Sequence, residues 1–251
     1  MTDRANDPWI SIVTVVKDDP VGFSRTYLSL CGQSVQDFEW IVIDSSDEPL
    51  EKPENAVYTW VEPKGIYSAM NLGIKHSTGK FVYFLNAGDT FAAPNSLAEV
   101  FPILTDECDV LVGEVLFVNA RGKEIAPSPL NLEEEARRYF ASGRFPPHQG
   151  LITRRNSLTG LGGFDTEYKV CADFELFLRL SQTANVCSTP IVMARFYAGG
   201  KSSQSWFLAQ REFHRARMRQ LGLSFPEKAH ALSLECLELL KQTLAHLTRR
   251  A

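Results

Sequence analysis

The chain has 251 residues, of which 44% are hydrophobic and 22% are charged, as is usual for a globular protein with a full core. Its formal net charge of −4 leaves no excess of cations to meet phosphates, which argues against a general nucleic-acid-binding protein. The five cysteines include no Cys-x-x-Cys pair and the N-terminus is short and polar, so we expect a cytoplasmic protein with reduced thiols.

The first 95 residues alternate between apolar, β-branched runs and segments with helical spacing. They predict strands at 10–16, 40–43, 58–61 and 81–85, and helices at 23–30 and 70–76. Short connections between such elements are typical of a doubly wound, Rossmann-like unit. We therefore predict an α/β fold with a mostly parallel sheet.

After residue 95 the pattern is less regular. It predicts helices at 96–104, 132–141 and 172–182, strands at 109–118 and 191–197, and a hairpin turn at 119–122. Two further helices are predicted at 205–221 and 227–249, separated by Gly222 and Pro226. We divide the chain into a domain over residues 1–204, with halves at roughly 8–95 and 96–204, and a C-terminal helical extension over 205–251.

The most informative segment runs from Glu62 to Asp89. It reads as a glycine-punctuated loop, a short helix, a glycine turn, an apolar strand and a single carboxylate where that strand ends. Ligands of open α/β sheets collect beyond the carboxyl ends of the strands. Asp89 therefore stands where a metal-bound diphosphate would lie.

Two stretches of the chain carry a family resemblance. Residues 65–74 read Gly-Ile-Tyr-Ser-Ala-Met-Asn-Leu-Gly-Ile and residues 85–89 read Leu-Asn-Ala-Gly-Asp. Together they closely resemble the inverting family 2 glycosyltransferases of bacteria, which have the GT-A fold. The resemblance implies transfer of a sugar from a nucleoside-diphosphate sugar, with a UDP-sugar as the preferred donor. The acceptor is a hydroxyl of a glycan or lipid-linked glycan, and the configuration of the anomeric carbon is inverted.

The resemblance implies that Asp89 is a ligand of Mn²⁺ or Mg²⁺, hard cations that prefer carboxylate, phosphate and water oxygens. Many relatives carry a second acid directly before this position or slightly earlier. Here those positions hold Gly88 and Asn86. One carboxylate neutralises less charge than two, which puts the affinity for metal in question. The alternative is that Asp89 is only a turn residue at the end of a strand.

Asp44, at the end of the second predicted strand, is implied by the resemblance to contact the nucleobase. Its alternative is a turn aspartate that accepts hydrogen bonds from its own loop. Asn71 is expected to bind either a ribose hydroxyl or a neighbouring loop, and residues 199–203 are interpreted as a lid over the diphosphate. The further residues expected to bind the nucleotide sugar are Thr14, Val16, Asp18, Lys64, Gly65, Asn86, Ala87 and Gly88.

A second stretch supports the same resemblance. Gly163-Phe-Asp is followed by Asp173-Phe-Glu-Leu-Phe-Leu-Arg, and the resemblance implies that Asp173 is the general base that deprotonates the acceptor hydroxyl. Many relatives have Glu where this chain has Ala172. The alternative for Asp173 is a helix N-cap, which is compatible with the catalytic role.

Three residues are assigned to the acceptor side. His148 and Gln149 follow two prolines, and in similar sequences the matching pair lies close to the acceptor cleft. The alternative for His148 is a histidine with a purely structural role. Trp206 is expected to stack on a sugar or to anchor a hinge.

The C-terminal extension suggests two hypotheses. Arg211, Arg215 and Arg219 share one helical face, and leucines at helical spacing follow in the next helix. This arrangement favours either peripheral contact with the inner face of a membrane, or packing on the catalytic domain or in a homodimer. No apolar run approaches the ~20 residues that span a bilayer.

Two functions other than sugar transfer stay open. A non-catalytic module that binds a sugar nucleotide or glycan is favoured by Gly88 and Ala172, where relatives have acids. A sugar nucleotidyltransferase is disfavoured, because the loop after the first strand lacks the expected glycine-rich, basic sequence.

Overall fold

The computed structural model describes residues 8–119, 121–125, 146–197 and 206–222, with the backbone alone of residues 206 and 207. The helices predicted at 132–141 and 227–249, and the lid predicted at 199–203, lie outside the described residues.

The described part of the chain contains nine strands, six α-helices and two short 3₁₀ turns. The strands are β1 Ile10–Val16, β2 Phe38–Asp44, β3 Ala56–Trp60, β4 Phe81–Phe84, β5 Thr90–Phe91, β6 Val110–Val118, β7 Glu124–Ile125, β8 Leu151–Arg154 and β9 Val186–Tyr197. The helices are α1 Pro20–Cys31, α2 Ile66–His76, α3 Ser96–Val100, α4 Arg155–Gly160, α5 Ala172–Thr183 and α6 Trp206–Gln220. The 3₁₀ turns are Phe101–Ile103 and His148–Gly150.

The strands form one sheet in the order β3-β2-β1-β4-β8-β6-β9-β5, with β7 paired to β6. The first four of these are mutually parallel, β8 is antiparallel to both neighbours, and β9 is parallel to β6. β5 and β7 run antiparallel to their partners. Six of the nine described strands thus share a direction, which confirms the predicted α/β fold with a mostly parallel sheet.

The sheet is covered on both faces, so β1, β2 and β4 are almost wholly buried. Val13 and Val15 point toward a core that includes side chains of α2, α5 and α6. The alternate residues Ile10 and Ile12 point toward a second core with α1 and α3. The period-two alternation of strand side chains explains this division.

Some element boundaries differ from the prediction. The helix predicted at 96–104 ends at Val100 and continues as a 3₁₀ turn, because Pro102 lacks an N–H group and disfavours a regular helix. Strand β8 was missed altogether, since its four residues are too few to show a period. The hairpin turn at 119–122 is confirmed by the antiparallel pair of β6 and β7, and Gly122 has a φ of 74°.

α6 packs on α5 and is joined to the first core. Ala216 is fully buried there, and the rings of Phe213 and Phe174 meet edge to face with centroids 4.9 Å apart. Arg215 pairs with Glu167, and Arg219 lies 3.3 Å from Asp165. For this helix the structure therefore shows packing on the rest of the described chain, one of the arrangements predicted for the C-terminal extension. No helix in the described ranges is long and apolar enough to cross a membrane.

Candidate functional site

The candidate site lies where β1, β2 and β4 end. Because these strands are adjacent and parallel, their carboxyl ends open on the same edge of the sheet. The chain after β4 continues the ladder for three residues, with Leu85 N donating to Val13 O at 3.0 Å and Ala87 N donating to Val15 O at 3.1 Å. It then turns sharply, and Asp89 N donates to Asn86 O.

Asp89 is held rigidly at this turn. Its side chain is 5% exposed, and Oδ2 accepts a hydrogen bond of 2.8 Å from Nε2 of Gln149. The hydroxyl of Thr26, on α1, donates to Asp89 O at 2.7 Å and accepts from Gly88 N at 3.0 Å. Burial raises the pKa of Asp89 to about 6, although His148 and the hydrogen bond from Gln149 oppose that change.

The backbone conformation before Asp89 explains why a glycine occupies position 88. Gly88 has a φ of 97°, which residues with a side chain rarely adopt. A second acid at this position would therefore be strained, so the single carboxylate follows from the shape of the turn. Within the described residues, no group of three or more His, Cys, Asp or Glu side chains is placed to hold a metal ion.

His148 links Asp173 to the turn that carries Asp89. Its Nε2 lies 2.9 Å from Nδ2 of Asn86, and its Nδ1 lies 3.4 Å from Oδ2 of Asp173. The side chain of His148 thus bridges the turn before Asp89 and the carboxylate of Asp173, and its electrostatic interaction with Asp89 lowers the pKa of Asp89.

Asp173 is the second residue of α5, and both of its oxygens are engaged. Oδ1 accepts from the backbone N–H of Phe174 at 2.9 Å and lies 3.2 Å from the hydroxyl of Tyr67. Burial, and then the charge of Asp173, raise the pKa of Tyr67, so this hydroxyl stays a donor. Cys171 occupies the N-cap position, and therefore the alternative that Asp173 is the N-cap is wrong.

Apolar side chains line most of the space beside Asp173. Ala172 is fully buried in the first core, at the position where relatives have an acid. A cavity of about 20 Å³ adjoins His148 and Asp173, and its other lining residues include Phe84, Phe164 and Leu176. A space of this size holds about one water molecule. The two polar side chains thus lie against a wall that excludes most water.

Asp44 is engaged by its own loop and by the neighbouring strand β3. Oδ1 accepts from Ser46 N at 2.8 Å, while Oδ2 accepts from Leu50 N at 2.8 Å and from the hydroxyl of Tyr58 at 2.7 Å. Burial alone would raise its pKa, but these hydrogen bonds outweigh it and lower the pKa overall. The structure therefore shows Asp44 as a turn aspartate, which was the alternative to direct contact with the nucleobase.

The loop after β1 is hydrogen-bonded to the loop after β2. Asp18 N donates to Ser46 Oγ at 2.9 Å, and Asp18 Oδ1 accepts from Asp47 N at 2.9 Å. Asp18 has a φ of 54°, a left-handed conformation that costs a non-glycine residue on the order of 1–3 kcal/mol. Thr14 and Val16 are buried in β1, and the Thr14 hydroxyl donates to Leu85 O. They support the edge of the sheet from within.

The residues assigned around α2 divide into two groups. Lys64 and Gly65 are exposed where the helix begins, and Gly65 has a φ of 100°. Asn71 is instead clamped to Phe164, donating to its carbonyl and accepting from its N–H, both at 2.8 Å. Asn71 was expected to bind either a ribose hydroxyl or a neighbouring loop, and the structure shows the contact with the loop.

Trp206, which was expected to stack on a sugar or to anchor a hinge, is the first residue of α6.

Two residues at the site were not assigned from the sequence. Tyr67 lies in the motif at 65–74 and contacts Asp173 across 106 positions of sequence. Glu212 accepts hydrogen bonds from the loop before α5. Nothing local distinguishes Glu212 from other charged residues on α6, so a pattern search could not have found it.

Comparison with known proteins identifies relatives of this arrangement. Residues 11–161 match the family model described as glycosyl transferase family 2. A glycosyltransferase from Mycobacterium tuberculosis H37Rv is 28% identical over 214 residues, which is 78% of each chain. A PGL/p-HBAD biosynthesis glycosyltransferase from Mycobacterium bovis BCG is 26% identical over 163 residues, covering 60% of this chain and 61% of the relative.

Solved structures show the same fold. Staphylococcus aureus TarS in complex with UDP-GlcNAc has a TM-score of 0.65 at 17% identity, over 90% of this chain and 70% of that one. The mannosyltransferase PcManGT from Pyrobaculum calidifontis, in complex with GDP-Man and Mn²⁺, has a TM-score of 0.60 at 14% identity, over 97% and 81% of the two chains. The predicted GT-A fold is thereby confirmed.

Proposed function

Because the chain belongs to glycosyl transferase family 2 and is a glycosyltransferase, we propose that it transfers a sugar from a UDP-sugar to an acceptor hydroxyl with inversion. The observation that carries this proposal is the position of His148, which lies 3.4 Å from Asp173 and 2.9 Å from Asn86, in the turn that ends at Asp89. The acceptor in this scheme is a glycan or a lipid-linked glycan. The protein works in the cytoplasm, and at the inner face of the membrane when the acceptor carries a lipid.

The chemical step is one displacement. As the acceptor oxygen attacks the anomeric carbon, the bond from that carbon to the diphosphate oxygen breaks, and the electron pair leaves with the diphosphate. Asp173 accepts the proton of the acceptor hydroxyl. Attack opposite the leaving group inverts the anomeric carbon, so no covalent intermediate with the protein is needed.

The donor set at Asp89 fits a divalent cation of the hard type. Its carboxylate oxygens are the ligand atoms that Mn²⁺ and Mg²⁺ prefer, and such ions are often held by one or two carboxylates together with phosphate oxygens. The bound ion would neutralise the charge of the departing diphosphate. Asp89 would hold it, while Gln149 and Thr26 keep Asp89 in place.

The nucleotide is assigned to the loops at the same edge of the sheet. Asp18 and the loop held by Asp44 meet the nucleoside, whereas Lys64 and Gly65 lie at the start of α2, where they would approach the diphosphate. Ala87 and Gly88 continue from β4 toward Asp89. Asp44 acts in this scheme by fixing the shape of its loop, because its own oxygens are already occupied.

The proposed function is tested by measuring release of nucleoside diphosphate and transfer of sugar from a panel of UDP-, GDP-, dTDP- and CDP-sugars with Mn²⁺. We expect a UDP-sugar to be used best, and UDP to raise the melting temperature more with Mn²⁺ than with a chelator. Equal behaviour of all four nucleotides would contradict the choice of UDP. Nucleotide binding without hydrolysis or transfer, with acceptors supplied, would favour the non-catalytic module.

His148 is expected to orient Asp173, because its Nδ1 lies 3.4 Å from Oδ2 of that carboxylate. His148→Ala should lower kcat by about 10-fold or more, less than the roughly 100-fold or greater contribution of the general base itself, with little change in KM for the donor. His148→Asn should recover part of the loss, because an amide can donate from a similar position. His76, the partly buried last residue of α2, is a matched control away from Asp173: His76→Ala should leave both constants unchanged. If the donor KM rises by as much as kcat falls, the substitution has disrupted the site as a whole.

A further inference from the structure

The carboxylate of Glu212, on α6, accepts hydrogen bonds from three backbone N–H groups of another segment. The Glu212 side chain is 7% exposed. One oxygen accepts from Lys169 N at 2.8 Å, and the other accepts from Val170 N at 2.8 Å and from Cys171 N at 3.0 Å. Three successive backbone N–H groups thus converge on one carboxylate, an anion-binding arrangement known as a nest.

These contacts lie directly before the helix that carries the proposed base. Cys171, the N-cap of α5, makes no side-chain capping hydrogen bond. Glu212 places a negative charge near this helix N-terminus, where the helix dipole stabilises an anion. The loop that it holds also presents the carbonyl of Val170, which accepts from the Tyr67 hydroxyl at 2.6 Å. That hydroxyl is the one that lies 3.2 Å from Asp173.

The same helix also contacts the residues that follow Asp173. The ring of Phe213 packs edge to face against Phe174, and Gln220 Nε2 donates to Glu175 Oε1 at 2.7 Å. α6 therefore holds the chain on both sides of Asp173, through Glu212 before it and through apolar and polar contacts after it.

We propose that Glu212 is a positioning residue for Asp173, so that α6 completes the active site. The proposal rests on the proposed function only for the role of Asp173 as base. Removing the carboxylate of Glu212 releases residues 169–171, and with them the Tyr67 contact and the first turn of α5.

The first experiment measures backbone amide exchange in Glu212→Gln. Gln has one acceptor oxygen and one donor group, so it cannot accept from all three N–H groups. We expect exchange of the amides at 169–174 to become about 10-fold faster or more, as expected for local opening. The matched control is Glu167→Gln, which removes an exposed carboxylate that also pairs with α6, through Arg215. Its exchange at 169–174 should match that of the parent.

The second experiment measures sugar transfer in a double-mutant cycle. We expect Glu212→Gln to lower kcat by about 10-fold or more, with the donor KM within about two-fold of the parent. In the Asp173→Asn background it should cause no further loss, since positioning a base that is absent has no effect. A merely structural role would lower activity equally in both backgrounds.

Unchanged exchange at 169–174, or additive losses in the cycle, would overturn the proposal. If Glu212→Gln does not fold, Glu212→Asp keeps the charge on a shorter side chain, and should change both readouts in the same direction by less. If the parent transfers no sugar, the proposed function fails, while amide exchange still decides whether Glu212 orders the loop.

Discussion

Asp173→Asn is expected to lower the rate of sugar transfer by about 100-fold or more while the affinity for the donor stays within about two-fold of the parent. The amide carbonyl of the variant can still accept from the N–H of Phe174, as the carboxylate does, and can stay beside the Tyr67 hydroxyl. The amide is not basic, however, so the proton of the acceptor hydroxyl has no local destination. Single-turnover transfer rates and calorimetric titration with the donor measure the two quantities separately.

The control for this substitution is Asp106→Asn. Asp106 is an exposed aspartate that pairs with Lys80, away from the carboxyl ends of β1 and β4. It should leave the transfer rate unchanged. An Asp173→Asn variant with parental turnover would show that the base is another residue, whatever the fate of donor binding.

Asp89→Asn is expected to abolish the effect of Mn²⁺ on donor binding. In the parent, a UDP-sugar should bind about 10-fold more tightly or better with Mn²⁺ than with a chelator, because the cation links the diphosphate to the carboxylate. The amide of the variant is a weaker ligand and carries no charge to balance the ion. Its carbonyl oxygen can still accept the hydrogen bond that Gln149 donates to Asp89 in the parent, so the fold should be kept.

Protonation gives a second test of Asp89. Since its pKa is about 6, the carboxylate is charged above that pH and becomes neutral as the pH falls through it. The Mn²⁺-dependent part of donor affinity should therefore be present at about pH 7.5 and decline below about pH 6. A UDP-sugar is the right probe, because its phosphates bear no proton that titrates in this range, unlike the terminal phosphate of UDP.

The Asp89→Asn variant can also contradict the assignment of Asp89 as the ligand of the cation. If Asp89→Asn retains both the Mn²⁺ effect and its dependence on pH, the cation is held elsewhere. If the parent itself binds the donor equally with Mn²⁺ and with a chelator, the metal-assisted mechanism is wrong.

Local sequence patterns were enough to predict the α/β class and the elements that place the site. β1, β2 and β4 are continuous apolar runs because both faces of the sheet are covered, and each is followed by a polar loop. The motifs ending at Asp89 and starting at Asp173 are also local, since a strand exit and a helix N-terminus each need their residues in consecutive order. The family resemblance followed from these two motifs, and it is confirmed by the match over residues 11–161, which contains the first of them.

What the individual polar side chains do was decided only by the tertiary structure. Asp44 and Asn71 were candidates for ligand contact, yet each is occupied by the protein itself, Asn71 by a loop 93 positions away. His148 meets Asp173, and Glu212 meets the loop at 169–171, through contacts that no periodicity encodes. A hydrogen bond depends on distances of a few tenths of an ångström between groups that folding alone brings together. The sequence therefore predicts which chemistry is available, and the packing of the helices on the sheet determines which groups remain free to use it.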